Sequence, residues 1–257
     1  MRALKRLNAW IDGAALRDVD ARLHIVDINE NAPEQELTWA TAPARNGQRL
    51  LTRTRASKRI VIEFDSRELF DLAARAAMVD AVNAWAGDGM LEVSYRPGQR
   101  IPVVLSKPAE FGGARDVTGT YELDFEAAVS PFWEDITPTV WTQSGSNGSG
   151  TMILPGSVPT VPEIEIKPTG GTLSSLTVGF GGKSMTFSGL GVSTSSKLII
   201  GHDERGILYA KAGSTSKLAT RTAASADDFE AGPGSVAVSY VANTACAVTF
   251  RARGRYR

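Results

Sequence analysis

This chain of 257 residues is poor in the side chains that carry chemistry: it has one cysteine and two histidines. Cys246 lies in an apolar run from Thr244 to Phe250, so no internal disulfide forms and folding in a reducing compartment is expected. His24 and His202 are far apart in sequence, which leaves neither a zinc site nor a Cys–His nucleophile to expect. No apolar run approaches the ~18–20 residues that span a bilayer. The basic start, Arg2, Lys5 and Arg6, is not followed by the apolar core and cleavage site of a secretory signal. Net charge is zero, which excludes the strong basic excess of a general nucleic-acid binder. There is no G-x-S-x-G elbow. The 28 acids offer many carboxylate pairs for glycoside cleavage and single out none. Catalysis is not expected, nor is a cofactor or a metal.

Two stretches imitate binding motifs. Gly182-Lys183-Ser184 ends like a phosphate loop, but Thr177 stands where the first glycine belongs. It also lies between two strand patterns, so no helix terminus would face a phosphate, and a tight β-turn is expected instead. Asp27-Ile28-Asn29-Glu30-Asn31 starts like a calcium loop. It then has Ala32 at the sharp turn and Thr38 where a bidentate Glu is required.

What the chain does have is an asymmetry of charge. Residues 1–135 carry 17 Lys/Arg and 21 Asp/Glu, residues 136–257 carry 11 and 7. Opposite signs of this size suit contacts between unlike surfaces. The pivot is Thr120 to Ile136. Tyr121, Leu123 and Phe125 alternate with Glu122, Asp124 and Glu126, a half-buried strand with its acids in water, which Ser130-Pro131 stops.

Ahead of that pivot, Ala9-Trp10-Ile11 and Leu23 to Ile28 flank an Asp12-Gly13 turn signal and suggest a hairpin-like start. Residues 29–51 are polar and aperiodic, with a turn at Asn46-Gly47, the character of a binding or assembly loop. From there Arg45, Arg49, Arg53, Arg55, Lys58 and Arg59 gather with no acid. Two readings stand: a strand edge that charge keeps from pairing, or a subunit contact. Ile60, Ile62 and Phe64 mark a strand. Asp65, with Glu68 three residues on, looks like the capping box of a helix over roughly 66–86, which ends before Gly87. Its stripe of Leu69, Leu72, Ala76, Val79 and Ala86 must cover a sheet. Strands follow near Leu91 to Tyr95 and Ile101 to Leu105, joined by the turn Arg96 to Gln99.

Residues 137–162 read as a linker, flexible from Gly145 to Gly150 and stiffened by Pro155, Pro159 and Pro162. Beyond lie short alternating runs at Ile164, Leu176, Met185, Leu198, Ile207, Val236 and Ala247, with no helical pattern, the signature of an all-β sandwich. Arg251, Arg253, Arg255 and Arg257 alternate as a charged edge or an anion-facing stripe. The fold expected is mainly β: an α+β domain over 1–135 with one long helix, a linker at 136–162, and a β-sandwich over 163–257.

The order of these features resembles the distal tail protein family of long-tailed, non-contractile bacteriophages. The resemblance is carried by Trp10 to Gly13 before the polar arm, Arg45-Asn46-Gly47 before Lys58 to Phe64, the single helix, Pro131-Phe132-Trp133, and the Arg/aromatic ending Phe250 to Arg257. It implies a non-enzymatic virion protein, made in a bacterial host cytoplasm and placed at the distal end of a tail. The N-terminal domain would form a six-fold ring, with 29–51 as an arm embracing the neighbour. The ring would join the tail tube to tip, baseplate and receptor-binding components, with the tape measure protein as a further contact. The C-terminal domain would be galectin-like and face outward. Contacts between subunits are expected to pair Arg45, Arg49, Arg53 and Arg55 with Glu122, Asp124 and Glu126, as a closed heterologous interface requires. The alternative is a carbohydrate-binding or host-adhesion module. That would need exposed aromatics, and most rings after Trp141 fall on core-facing positions.

Overall fold

The computed structural model describes residues 7–20, 22–32, 35–41, 48–55, 57–65, 71–112, 120–127, 130–203, 206–226 and 229–257, with the backbone path alone for 35–41 and 48–55. The chain divides into two compact units, Met1–Trp133 and Glu134–Arg257. It is mainly β in both.

The first unit contains β1 (Ala9–Ile11), β2 (Ala14–Ala15), β3 (His24–Glu30), β4 (Gln35–Thr41), β5 (Gln48–Arg55), β6 (Lys58–Asp65), α1 (Leu72–Trp85), β7 (Gly89–Val93), β8 (Gln99–Lys107) and β9 (Thr120–Ala127). Seven of the strands form one antiparallel sheet in the order β2-β1-β7-β8-β9-β6-β3. Period-two alternation sends Ile60, Ile62 and Phe64 of β6 and Tyr121, Leu123 and Phe125 of β9 to one buried face. The Asp12-Gly13 turn closes a hairpin of β1 with β2, and β1 then pairs β7 across a long sequence gap. At the β7–β8 turn Gln99 N–H donates to Arg96 O at 3.2 Å.

The helix is shorter than the pattern suggests. Asp65 does not cap it: it is the last residue of β6, in register with Thr120 and His24, so its backbone is committed to the sheet. Asp71 caps instead, its carboxylate accepting from Ala73 N–H at 3.0 Å. Glu68 and Leu69 lie outside the described residues. The buried face runs through Met78, Val79, Val82 and Ala86, whereas Leu72 is exposed. Asn83 holds the helix to the loop after β8 with two bonds to Ala109, and Trp85 donates to Ala14 O at 2.9 Å.

The polar arm is not an aperiodic loop. β4 and β5 pair antiparallel, Gln35 opposite Arg55 and Thr41 opposite Gln48, as a two-stranded sheet of their own.

The second unit carries β10 (Trp133–Asp135, which begins at the boundary), β11 (Thr139–Leu154), β12 (Glu163–Pro168), β13 (Leu173–Phe180), β14 (Lys183–Val192), β15 (Leu198–His202), β16 (Leu208–Ala212), β17 (Thr215–Ser216), β18 (Gly234–Ala252) and β19 (Arg255–Tyr256). The order is β14-β13-β18-β12-β15-β16-β17, with β11 on the other side of β18. Two sequence expectations fail here. The supposed linker is a 16-residue strand, Thr139 opposite Ala252 through Leu154 opposite Gly234, because β18 supplies bonding partners that composition does not reveal. The runs at Val236 and Ala247 are also one strand of 19 residues, whose first half pairs β13 and whose second half pairs β12.

The β11–β18 pair therefore belongs to both halves of the unit. One core cluster collects Phe180, Phe187 and Tyr240 from one half and Ile164, Ile200 and Phe250 from the other. At a bulge between Gly145 and Asn147 β11 bends, so that Trp141 fills the space a Cβ would need at Gly150. Trp141 packs edge-on against Phe250 and Tyr240, ring centroids 5.6 and 6.3 Å away. The Gly181-Gly182 turn has φ of 61° and 83°, and Phe180 pairs Lys183 across it. That is the two-residue hairpin geometry glycine adopts without strain, so the phosphate-loop look-alike is a Gly181-Gly182 turn whose Lys183 and Ser184 open β14. Asp27 to Glu30 are likewise strand, not a cation loop.

Candidate assembly site

The arm departs from the end of β3 and returns at the start of β6, and the junction is built around one carboxylate. Glu30 closes β3 and Lys58 opens β6. Lys58 Nζ donates to Glu30 Oε2 at 2.7 Å, and Asn31 N–H to Arg59 O at 3.0 Å. The β7–β8 turn adds Tyr95 OH at 2.5 Å and Arg96, whose guanidinium spans both oxygens at 2.8 and 3.2 Å. Trp133 Nε1 supplies a fifth bond at 2.9 Å. Lys58 is 2% exposed and Trp133 fully buried, and both cations lie over the Trp133 ring, Lys58 Nζ at 5.8 Å and Arg96 Cζ at 5.1 Å from its centroid.

Burial alone would raise the Glu30 carboxyl; the bonds from Arg96, Lys58, Tyr95 and Trp133 outweigh it and bring the value down to about 2. The Tyr95 phenol is pushed up by burial and by the Glu30 charge. Five charge-assisted bonds on one anion form a rigid anchor at the foot of the hairpin.

The expected contact residues divide on inspection. Arg45 lies outside the described residues. Arg49, Arg53 and Arg55 sit on β5 opposite Ala40, Leu37 and Gln35. Glu122 is exposed and Glu126 half-buried, but Asp124 is only 5% exposed. A bulge in β8 brings Ser106 against it, the Ser106 hydroxyl donating to Asp124 O at 3.0 Å, and Arg59 of the same chain bonds its carboxylate. Asp124 therefore does not belong to the wet acidic face that alternation predicts.

A different acidic row takes its place. Asp27 stands opposite Glu63, and Glu63 opposite Glu122, so three acids run side by side across β3, β6 and β9. Asp27 and Glu122 are exposed and Glu63 half-buried. Like charges directly opposite destabilise a sheet unless a countercharge covers them. Asn29 Nδ2 touches Glu63 at 3.3 Å. Sequence reasoning missed Asp27 and Glu63 because strand order decides which acids become neighbours.

In the second unit the terminal arginines are held internally. Arg251 pairs Glu165 at 3.2 Å and Glu163 at 3.6 Å, Arg255 pairs Glu134 at 2.8 Å, and Arg253 donates to the carbonyls of Asp135 and Ile136. They line a recess of about 160 Å³ together with His202 and Tyr209. His202 closes β15 and is half-buried. Burial, then Arg255, lowers its basicity. Phe180, Phe187, Phe229, Tyr240 and Phe250 are buried and unavailable to a sugar face. Among the described residues no group of three or more His, Cys, Asp or Glu is placed to hold a metal.

Among the described residues, an antiparallel unit with one α-helix followed by a β unit without an α-helix defines a two-unit, mainly β class of protein. Within it the fold is that of the SPP1 phage Dit protein (gp 19.1), described as a paradigm of the hub adsorption apparatus in phages infecting Gram-positive bacteria. The likeness has a TM-score of 0.70 at 14% identity, over 98% of this chain and 100% of that one. Chains of two phage P2 baseplate structures in the activated conformation, with strontium and with calcium, align over 98% and 97% of this chain and the same shares of their own. Their TM-scores are 0.48 and 0.43, at 8% and 9% identity. No family model and no curated protein matches the sequence.

Proposed function

We propose that this chain is a structural, non-catalytic distal tail hub of a long-tailed bacteriophage, forming a six-fold ring that joins the tail tube to the tip. The observation that carries this reading is the end-to-end fold likeness to the SPP1 hub protein, which spans both units. The first unit, Met1–Trp133, forms the ring, the second, Glu134–Arg257, the outward domain, and the β4–β5 hairpin the arm that reaches the neighbour. The arm suits this role because it is a separate sheet on a rigid foot. Arg49, Arg53 and Arg55 of one subunit neutralise Asp27, Glu63 and Glu122 of the next, with Glu126 at the margin. Such a contact is heterologous, and closes into a ring when the rotation allows. The tail tube protein binds one rim; tip proteins, with the tape measure protein, bind the other.

Light scattering of the purified chain tests this. A species near six times 27.4 kDa is expected. Reversing Glu63 and Glu122 to Lys abolishes it, and reversing Arg53 and Arg55 to Glu in the same chain restores it. A chain that remains monomeric at high concentration and also in the presence of tail tube protein overturns the proposal.

A further inference from the structure

The strand β11 is 16 residues long, carries no charge and no proline, and among the described residues is bonded on one side only, to β18. Soluble proteins guard such edges with lysine, proline, brevity or a bulge. Lysine, proline and brevity are absent, and the bulge between Gly145 and Asn147 lies at the midpoint of the strand.

Its exposure pattern is mirror-symmetric. The bulge between Gly145 and Asn147 shifts the alternation by one, so the outward residues are Val140, Thr142, Ser144 and Ser146 on one arm and Asn147, Ser149, Thr151 and Ile153 on the other. A second copy turned about a two-fold axis through the bulge meets this edge antiparallel, with like facing like. Val140 falls opposite Ile153, Thr142 opposite Thr151, Ser144 opposite Ser149 and Ser146 opposite Asn147. Val140 and Ile153 are 53% and 67% exposed, and each would cover the other, twice by symmetry. The inward positions pair as well, Trp141 with Met152 and Gly145 with Gly148. A two-fold axis along the bisector of the bend maps a bent strand onto itself, so the bend is no obstacle to pairing over the whole length.

We infer that β11 is a self-pairing edge, through which two copies of this chain join their second units into continuous sheets by strand addition. The contact does not rest on the ring reading: it is isologous, whereas the contacts around a ring are heterologous, and it pairs chains from different rings or free chains.

The register makes the test sharp. Val140→Cys and Ile153→Cys chains are prepared separately, with Cys246 left in place because it is buried. Mild oxidation is expected to link the mixture into disulfide dimers and to leave each variant alone unlinked, since residues directly opposite across a strand pair hold their Cβ atoms about 4.5–5.5 Å apart, whereas identical positions lie on opposite arms of the bend, beyond disulfide reach. Ser146→Lys/Asn147→Lys places four ammonium groups at the axis. By sedimentation equilibrium the wild type is expected at twice the mass of this variant, with unchanged circular dichroism and with any six-fold assembly of the first unit retained in both. Equal linking in single variants, no linking in the mixture, or persistent doubling in the lysine variant overturns the inference. A strand from another protein occupying the edge would give the second of these outcomes.

Discussion

Replacing Glu30 by Gln tests the anchor beneath the arm. The substitution keeps the shape of the side chain and removes the charge that Lys58, Arg96, Tyr95 and Trp133 converge on. Lys58 is then left 2% exposed with no countercharge from Glu30, a situation that costs about 3 kcal/mol. The pH dependence offers a second route to the magnitude. In the unfolded chain Glu30 titrates near its ordinary 4.5, in the fold at about 2, so the unfolded state takes up the proton first. The stabilisation is complete above about pH 4.5 and drains away as pH falls toward 2. At about 1.4 kcal/mol per unit the interval is worth about 3 kcal/mol. Solvent reaching one side of the carboxylate, 12% exposed, lowers the expectation to about 2. Native-state hydrogen exchange of the β3 and β6 peptides reads both quantities. Opening at pH 7 should accelerate roughly thirtyfold in Glu30→Gln, and the wild type should lose its advantage between pH 4.5 and 2 while the variant shows no such slope. An acceleration below about threefold, or parallel pH profiles, would refute the argument.

Other expectations concern single features. Asp71→Ala removes the helix cap and should lower stability of the first unit by about 1 kcal/mol in urea titration, whereas Asp65→Asn leaves the helix signal in circular dichroism unchanged. Gly150→Val forces a side chain into the space of the Trp141 ring and should destabilise the second unit by about 1–3 kcal/mol, read from its unfolding transition by circular dichroism; Gly150→Val/Trp141→Ala recovers part of the loss. Excising 35–55 in favour of a short Gly/Ser bridge should leave hydrogen-exchange protection of β6 and β9 intact and abolish the six-fold species.

What was legible in the sequence follows from the range of each signal. Alternation found β6, β8, β9 and most strands of the second unit, because period two is written in neighbouring residues. The Gly182 turn and the failed calcium loop were equally local. Partners were not. β11 is rich in Gly and Ser, and only its pairing with β18, some ninety residues away, makes a strand of it. The same limit hid the acidic row, since Asp27, Glu63 and Glu122 become neighbours only through strand order. Asp124 was misplaced because alternation gives a face and not what covers it. Glu30 looked like a spare ligand of an incomplete cation loop; its five donor atoms come from three separate stretches of chain.

The place of β18 has a consequence in time. This strand bonds β11, β12 and β13, yet its residues, 234–252, are translated some eighty after β11. Until they emerge, three strands of the second unit lack their central partner and its single core has no seat. On the ribosome the first unit can close early, while the second waits as a set of short hairpins and then completes in one late event, at the pace of a long-range search. A chain cut at residue 233 would be a finished first unit trailing an unfinished one, with the uncharged length of β11 unpaired on both sides, and such a fragment should aggregate where the whole chain does not.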